Sequence, residues 1–228
     1  MASWNIEDIN GFKHHTQENT GQINLDSEFG NFIYKIASNK SFQNYLEIGT
    51  WNGLGSTKCF IEAFKNRDND FLFYSLECNT DKYEFANNNY KDMENIYILN
   101  EVLLNDMPED IYNIFPEILE NEDFNYWNTI DFNNMKYKPL FLNRNNLPEI
   151  FDVVLFDGGE FTTWYEYQIL KNKCKVIMMD DTNCSKCKNI CIDLNNQPDK
   201  WKLIFKSDQR NGACCYVLNS YLINLDIR

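Results

Sequence analysis

The chain has 228 residues, 43% of them apolar and 15% aromatic, which suits one globular domain with a sizeable core and excludes a disordered chain. Its formal net charge is −13 with no lysine- or arginine-rich run, so a nucleic-acid phosphate backbone is a poor partner. No stretch has the length of a membrane span and the opening MASWNIEDINGFKHH lacks an apolar signal core, so a soluble, cytoplasmic protein is expected, its eight cysteines reduced.

Residues 1–24 are polar and read as an irregular arm carrying the only histidines, His14 and His15. Residues 25–38 place Phe29, Phe32, Ile33 and Ile36 at helical spacing, which completes an arm-and-helix region over 1–40. A short apolar strand over 45–48 follows, then a helix over 53–66. The pattern repeats with a strand at 71–76, a helix at 81–90 and a strand at 96–99. The clearest buried strand is 151–156, followed by a helix at 164–173, a strand at 176–179 and a helix at 185–194. Two strands, 201–205 and 213–218, close the sequence around a turn at 207–212. Strands alternating with helices predict an α/β fold, Rossmann-like and doubly wound. Its mainly parallel, seven-stranded sheet would end in a C-terminal antiparallel hairpin.

Residues 101–148 interrupt this rhythm. They hold four of the five prolines (Pro108, Pro116, Pro139 and Pro148) and many aromatics, with helix predicted only around 110–119. Long insertions at the ligand end of a sheet are usually functional, so a lid is expected. The alternatives are a packing elaboration or a homodimer contact.

Ligands of open α/β sheets bind at the carboxyl ends of the strands, and three sets of residues fall there. The first is Glu47-Ile-Gly49-Thr50-Trp-Asn-Gly53-Leu-Gly55-Ser56-Thr57. Glycine at a strand end permits a tight turn and close approach of a ligand to the backbone, and an open helix N-terminus can face an anion. The second is Glu77, at the end of the next strand, which can accept hydrogen bonds from both hydroxyls of a ribose. The third is Asp157-Gly-Gly-Glu160 after one strand and Asp180-Asp181-Thr-Asn183 after the next. Carboxylates on adjacent strand tips repel one another unless a cation or proton intervenes, and an oxygen-only ligand set suits Mg²⁺.

The acidic-x-Gly-x-x-x-Gly spacing resembles motif I of the class I S-adenosylmethionine (SAM)-dependent methyltransferases. EIGTWNGLGST is similar to the form found in small-molecule O-methyltransferases. The acidic sets resemble the macrocin-type, metal-dependent enzymes that methylate sugar hydroxyls, which carry Asp-Gly-Asp after one strand and Asp-Asp after the next. The resemblance covers about 45–183. It implies Glu47, Gly49, Thr50, Gly53, Ser56, Glu77 and Asp157 at the cofactor, and Asp157, Asp180 and Asp181 around Mg²⁺ or another divalent cation. Asp157 would also belong to the catalytic set. The second aspartate of Asp-Gly-Asp, the expected general base, falls on Gly159 here. Glu160, His14 or His15 would then supply the base.

The expected reaction is methyl transfer to a hydroxyl of a sugar or other small molecule. An NAD-dependent oxidoreductase would share the fold and Glu77 but needs G-x-G-x-x-G, which is absent. A glycosyltransferase would not need Glu47-x-Gly, and a non-catalytic binding module of this fold would not need the acidic set. Cys184, Cys187 and Cys191 share a helix face, but no neighbouring histidine or second cysteine pair completes a zinc site, so a buried face is expected.

Overall fold

The computed structural model describes residues 22–224, and His14 and His15 lie outside the described residues. The order of elements is α1 (Glu28–Ser38), β1 (Asn44–Ile48), α2 (Ser56–Phe64), β2 (Leu72–Leu76), α3 (Thr80–Tyr90) and β3 (Ile96–Leu99). The insertion carries α4 (Ile111–Ile114), α5 (Glu117–Glu120) and α6 (Glu122–Met135). Then come β4 (Phe151–Phe156), α7 (Thr163–Leu170), β5 (Cys174–Asp180), α8 (Ser185–Asn195), β6 (Trp201–Ser207) and β7 (Ala213–Leu218).

The seven strands form one sheet in the order β3-β2-β1-β4-β5-β7-β6. All pairings are parallel except those that β7 makes with β5 and β6. This is the expected Rossmann-like sheet with its antiparallel C-terminal hairpin. The chain runs outward from β1 to β3, then crosses back to place β4 beside β1. That reversal is the topological switch point, where open α/β sheets bind ligands.

Alternation along the strands divides the core between the two faces of the sheet. Tyr45, Phe73 and Val153 pack with Ile33 and Phe60 on one face, whereas Leu46, Val154 and Ile177 pack with Tyr167 and Leu194 on the other. All six residues of β4 are buried, as a central strand covered on both faces requires.

Local chemistry sets the helix starts. The Ser27 hydroxyl accepts from Gly30 N at 3.0 Å, so α1 begins at Glu28 rather than at 25. Gly53 has φ +74° and Gly55 is non-helical, so α2 begins at Ser56 rather than at 53.

The insertion differs most from expectation. The helix predicted over 110–119 is split by Pro116 into α4 and α5. The longest helix in the insertion, α6, has no apolar stripe to announce it; its buried positions are Asn128, Phe132 and Met135. The two ends of the insertion meet beside β3, where Val102 N donates to Pro139 O and Phe141 N donates to Val102 O, at 3.1 and 2.8 Å. Ile111, Phe115, Ile118 and Phe132 form a small core with Phe161 from the loop after β4. The insertion thus packs over the carboxyl end of the sheet.

Candidate active site

The loop after β1 is built around Gly49, at φ +95°. Gly49 N and Thr50 N both donate to Leu76 O, at 3.0 and 3.1 Å, folding the loop onto the tip of β2. Glu47 is fully buried and accepts from the hydroxyls of Ser56 and Thr57, each at 2.6 Å, and from that of Ser75. Burial raises its pKa and these three hydroxyls oppose the rise. Glu47 therefore braces the loop and the first turn of α2 instead of facing a ligand. Gly53 also faces inward to the protein: its carbonyl accepts from the Tyr90 hydroxyl at 2.7 Å, and Ala86 and Tyr90 fill the space a Cβ would need.

Glu77 joins two loops and faces the cavity. It accepts from Trp51 N at 2.7 Å and Asn79 N at 2.8 Å, while burial lifts its carboxyl to about 7. The cavity measures about 460 Å³ at the carboxyl ends of the central strands, with Gly49, Thr50, Ser56, Glu77 and Asp157 among its lining residues. No side chain caps α2, so its N-terminus stays open, as expected from the glycines. Thr162 Oγ1 and Glu166 Oε2 line the same cavity and have no hydrogen-bond partner, although both residues are buried. A cavity with acceptors at two strand tips, an open helix start and orphaned polar atoms fits a nucleoside-type ligand.

The sheet brings Asp157, Asp180 and Asp181 together, one oxygen of each within 4.8 Å of the others. Two cations the sequence did not single out already hold them. Lys186, from the first turn of α8, places Nζ 3.0 Å from Asp157 Oδ1 and 2.7 Å from Asp181 Oδ2. Arg210, from the β6–β7 turn, places Nη1 3.1 Å from Asp180 Oδ2 and Nη2 3.8 Å from Asp181 Oδ1. Burial would depress the lysine, yet the surrounding carboxylates hold its pKa well above the ordinary value, so it is a permanent charge.

A dication bound by Asp157 and Asp181 would lie about 2.0–2.1 Å from an oxygen of each, in the space of this ammonium. The three aspartates expected around magnesium are thus brought together, with the Lys186 ammonium standing between two of them. Glu160 is not at the cavity; its Oε1 accepts from Lys186 N at 3.2 Å and so ties down the start of α8.

Two further carboxylates close the cavity over the Gly158-Gly159 pair. A Cβ on Gly158 would meet Glu166 Oε2 at 2.7 Å, and one on Gly159 would meet Asp131 Oδ2 at 2.4 Å. Burial lifts Asp131 to about 7 and Glu166 to about 8, in the latter case with help from the Asp131 charge. Asp131 comes from α6, so the insertion supplies part of the lining.

The cysteine face of α8 is partly buried as expected: Cys187 is fully buried, and Cys191 Sγ lies 3.6 Å from Cys214 Sγ. No helix among the described residues is long and apolar enough to cross a membrane.

No family model and no curated protein matches the sequence. Solved structures do match the fold. An O-methyltransferase from Bacillus cereus in complex with S-adenosylhomocysteine (SAH) aligns with TM-score 0.58 at 12% identity, covering 96% of this chain and 93% of its own. A SAH-bound methyltransferase from Podospora anserina aligns with TM-score 0.53 at 11% identity, covering 94% and 87%. The O-methyltransferase of tomaymycin synthesis from Streptomyces achromogenes, in complex with SAM, gives 0.53 at 12%, covering 94% and 96%. With its strand order, its switch point and these likenesses, the chain has the Rossmann-like fold of the class I SAM-dependent methyltransferases.

Proposed function

We propose that this protein transfers a methyl group from SAM to a hydroxyl oxygen of a small polyhydroxy molecule, a sugar being the preferred class. The observation that carries the reading is the convergence of Gly49 and Glu77, from adjacent strand tips, on one cavity. That three solved structures of like fold are methyltransferases in complex with SAH or SAM supports it.

When bound, the cofactor supplies an electrophilic methyl on a sulfonium. The side-chain-free Gly49 leaves the backbone open to close approach, and Glu77 accepts the ribose hydroxyls. Thr50, Ser56 and the open start of α2 face the amino-acid portion of the cofactor, whose carboxylate suits a helix N-terminus. Glu47 and Gly53 act indirectly, by holding the loop. Asp157, the cavity-lining carboxylate beside Lys186, takes the proton that the hydroxyl releases, with Asp180 and Asp181 fixing the cation pair. Lys186 and Arg210 already offset two of the cluster's three carboxylates, so these steps call on no magnesium. The whole chain, 1–228, is read as one catalytic unit with 101–148 as a lid whose α6 excludes water. The charge of −13 disfavours polyanionic acceptors.

Calorimetric titration with SAM, with NAD as control, tests the reading. SAM binds and NAD does not. Glu77→Gln keeps the shape but loses charge-assisted acceptance, which is worth about 1.5–3 kcal/mol, so SAM affinity falls roughly 10- to 100-fold. Absence of SAM binding, or wild-type affinity in Glu77→Gln, would remove the basis of the proposal.

A further inference from the structure

Lys186 sits where local rules place a cation poorly. It lies in the first turn of an eleven-residue helix, where the backbone dipole favours anions, and its side chain is only 12% exposed. Both costs are offset chiefly by Asp157 and Asp181, at 3.0 and 2.7 Å, with the Glu160 charge adding to them. The partner cation, Arg210, and its neighbour Asp181 both adopt φ +54°, a strained backbone for side chains of this size. Three carboxylates face two permanent cations, leaving one net negative charge beside the cavity. An ammonium has three N–H donors; two are directed at Asp157 and Asp181, and Lys186 lines the cavity.

We infer that Lys186 is the resident cation of this acidic seat: its ammonium holds the acceptor oxygen by a hydrogen bond, and the seat takes no divalent metal. The identity of the acceptor rests on the methyl-transfer reading above; the cation seat rests on the ion-pair geometry alone. The lysine supplies what a metal would supply electrostatically, a fixed positive charge beside the reacting oxygen, but as a hydrogen-bond donor that does not dissociate from the protein. Removing it leaves three carboxylates against Arg210 alone, and that set calls for an external cation.

Mn²⁺ serves as the probe, its free-ion electron paramagnetic resonance signal being read with and without SAM. Wild-type protein is expected to leave the signal unchanged, and its SAM affinity is expected to be the same in EDTA. Lys186→Gln is expected to bind Mn²⁺ at least about tenfold more tightly than wild type, because a unit charge within a few ångströms of the seat is gone. Its melting temperature should also rise with Mn²⁺ by mass action.

Wild-type binding of Mn²⁺ that Asp157→Asn abolishes would overturn the inference, as would a folded Lys186→Gln that binds no more Mn²⁺ than wild type. If Lys186→Gln does not fold, the wild-type titration still decides whether the seat takes metal. The more exposed Arg210→Gln then carries the variant arm, with tighter Mn²⁺ binding expected and unchanged binding counting against the inference. A failure to bind SAM in the parallel titration would overturn the methyl-transfer reading while leaving the Mn²⁺ result to judge Lys186 by itself.

Discussion

Gly49→Ala is expected to remove most of the protein's stability and, with it, SAM binding. A Cβ at this position would lie 2.0 Å from the Asp157 carbonyl oxygen and 2.6 Å from its carbon, at a φ of +95°. Both obstructing atoms are backbone of the β4 tip, and that backbone is fixed because Asp157 N donates to Ile48 O at 2.9 Å. Nothing flexible can swing aside, so β1 and β4 must separate at their tips or the turn must change conformation. Left-handed strain costs about 1–2 kcal/mol for a non-glycine residue and overpacking about 1–3 kcal/mol. Together they approach the lower end of the stability of a whole domain, about 5–15 kcal/mol.

Gly159→Ala is the matched control. There the nearest obstruction, at 2.4 Å, is the carboxylate end of Asp131, and φ is not positive. Urea unfolding of the two variants should show a much lower midpoint for Gly49→Ala than for Gly159→Ala. Equal midpoints would mean that the β1–β4 contact is not the constraint it appears in the geometry.

The contrast between these glycines parallels what could be read before the fold was known. Gly49, Glu77 and the Asp157 and Asp180-Asp181 pairs were legible because strand tips are marked locally. Each follows a short apolar run, and the α/β alternation says where such tips must gather. What those residues face was not legible. Glu47 and Gly53 sit in the same motif as Gly49, yet one accepts three hydroxyls from its own loop and the other packs on α3. Distinguishing them needs the position of Ser75 and Tyr90, residues far along the chain.

Lys186, Arg210, Asp131 and Glu166 were missed for a related reason. Each stands in a helix or turn whose sequence reads as an ordinary solvated surface, and only tertiary packing turns it inward. Lys186 left one local trace, a cation in the first turn of a helix, where the dipole disfavours it. The α6 helix left none, because it is held by the small core around Phe115, Phe132 and Phe161 rather than by an apolar stripe of its own. The helix expected over 110–119 runs across Pro116, which instead splits it, and the adjacent third helix left no signal of its own.

The same inward carboxylates set the pH dependence of stability. Glu77 and Asp131 are lifted to about 7 and Glu166 to about 8, mainly by burial. A group whose folded pKa exceeds its unfolded value binds more protons when folded. Its contribution is complete below the unfolded pKa, about 4–4.5, and is lost as pH rises through the folded value. The melting temperature is therefore expected to fall steadily from about pH 5 to about pH 8.5, opposite to the behaviour of a protein dominated by surface-paired carboxylates.

Each pKa unit corresponds to about 1.36 kcal/mol, so Glu166 alone accounts for a few kcal/mol across that window. Glu166→Gln keeps the volume and removes the charge. It should leave stability near wild type at about pH 5 and raise it by roughly 1–3 kcal/mol at about pH 8.5, flattening the profile. Because Asp131 contributes to the Glu166 shift, the substitution should also ease the ionisation of Asp131 and reduce the remaining slope further. A cation-bearing ligand in the cavity acts in the same direction, so SAM should raise the melting temperature more at about pH 8.5 than at about pH 6. Calorimetric melting of both proteins over this range checks the sign directly. A wild-type melting temperature that climbs with pH, or a Glu166→Gln variant less stable than wild type at the alkaline end, would show that these carboxyls are ionised and satisfied in the folded protein.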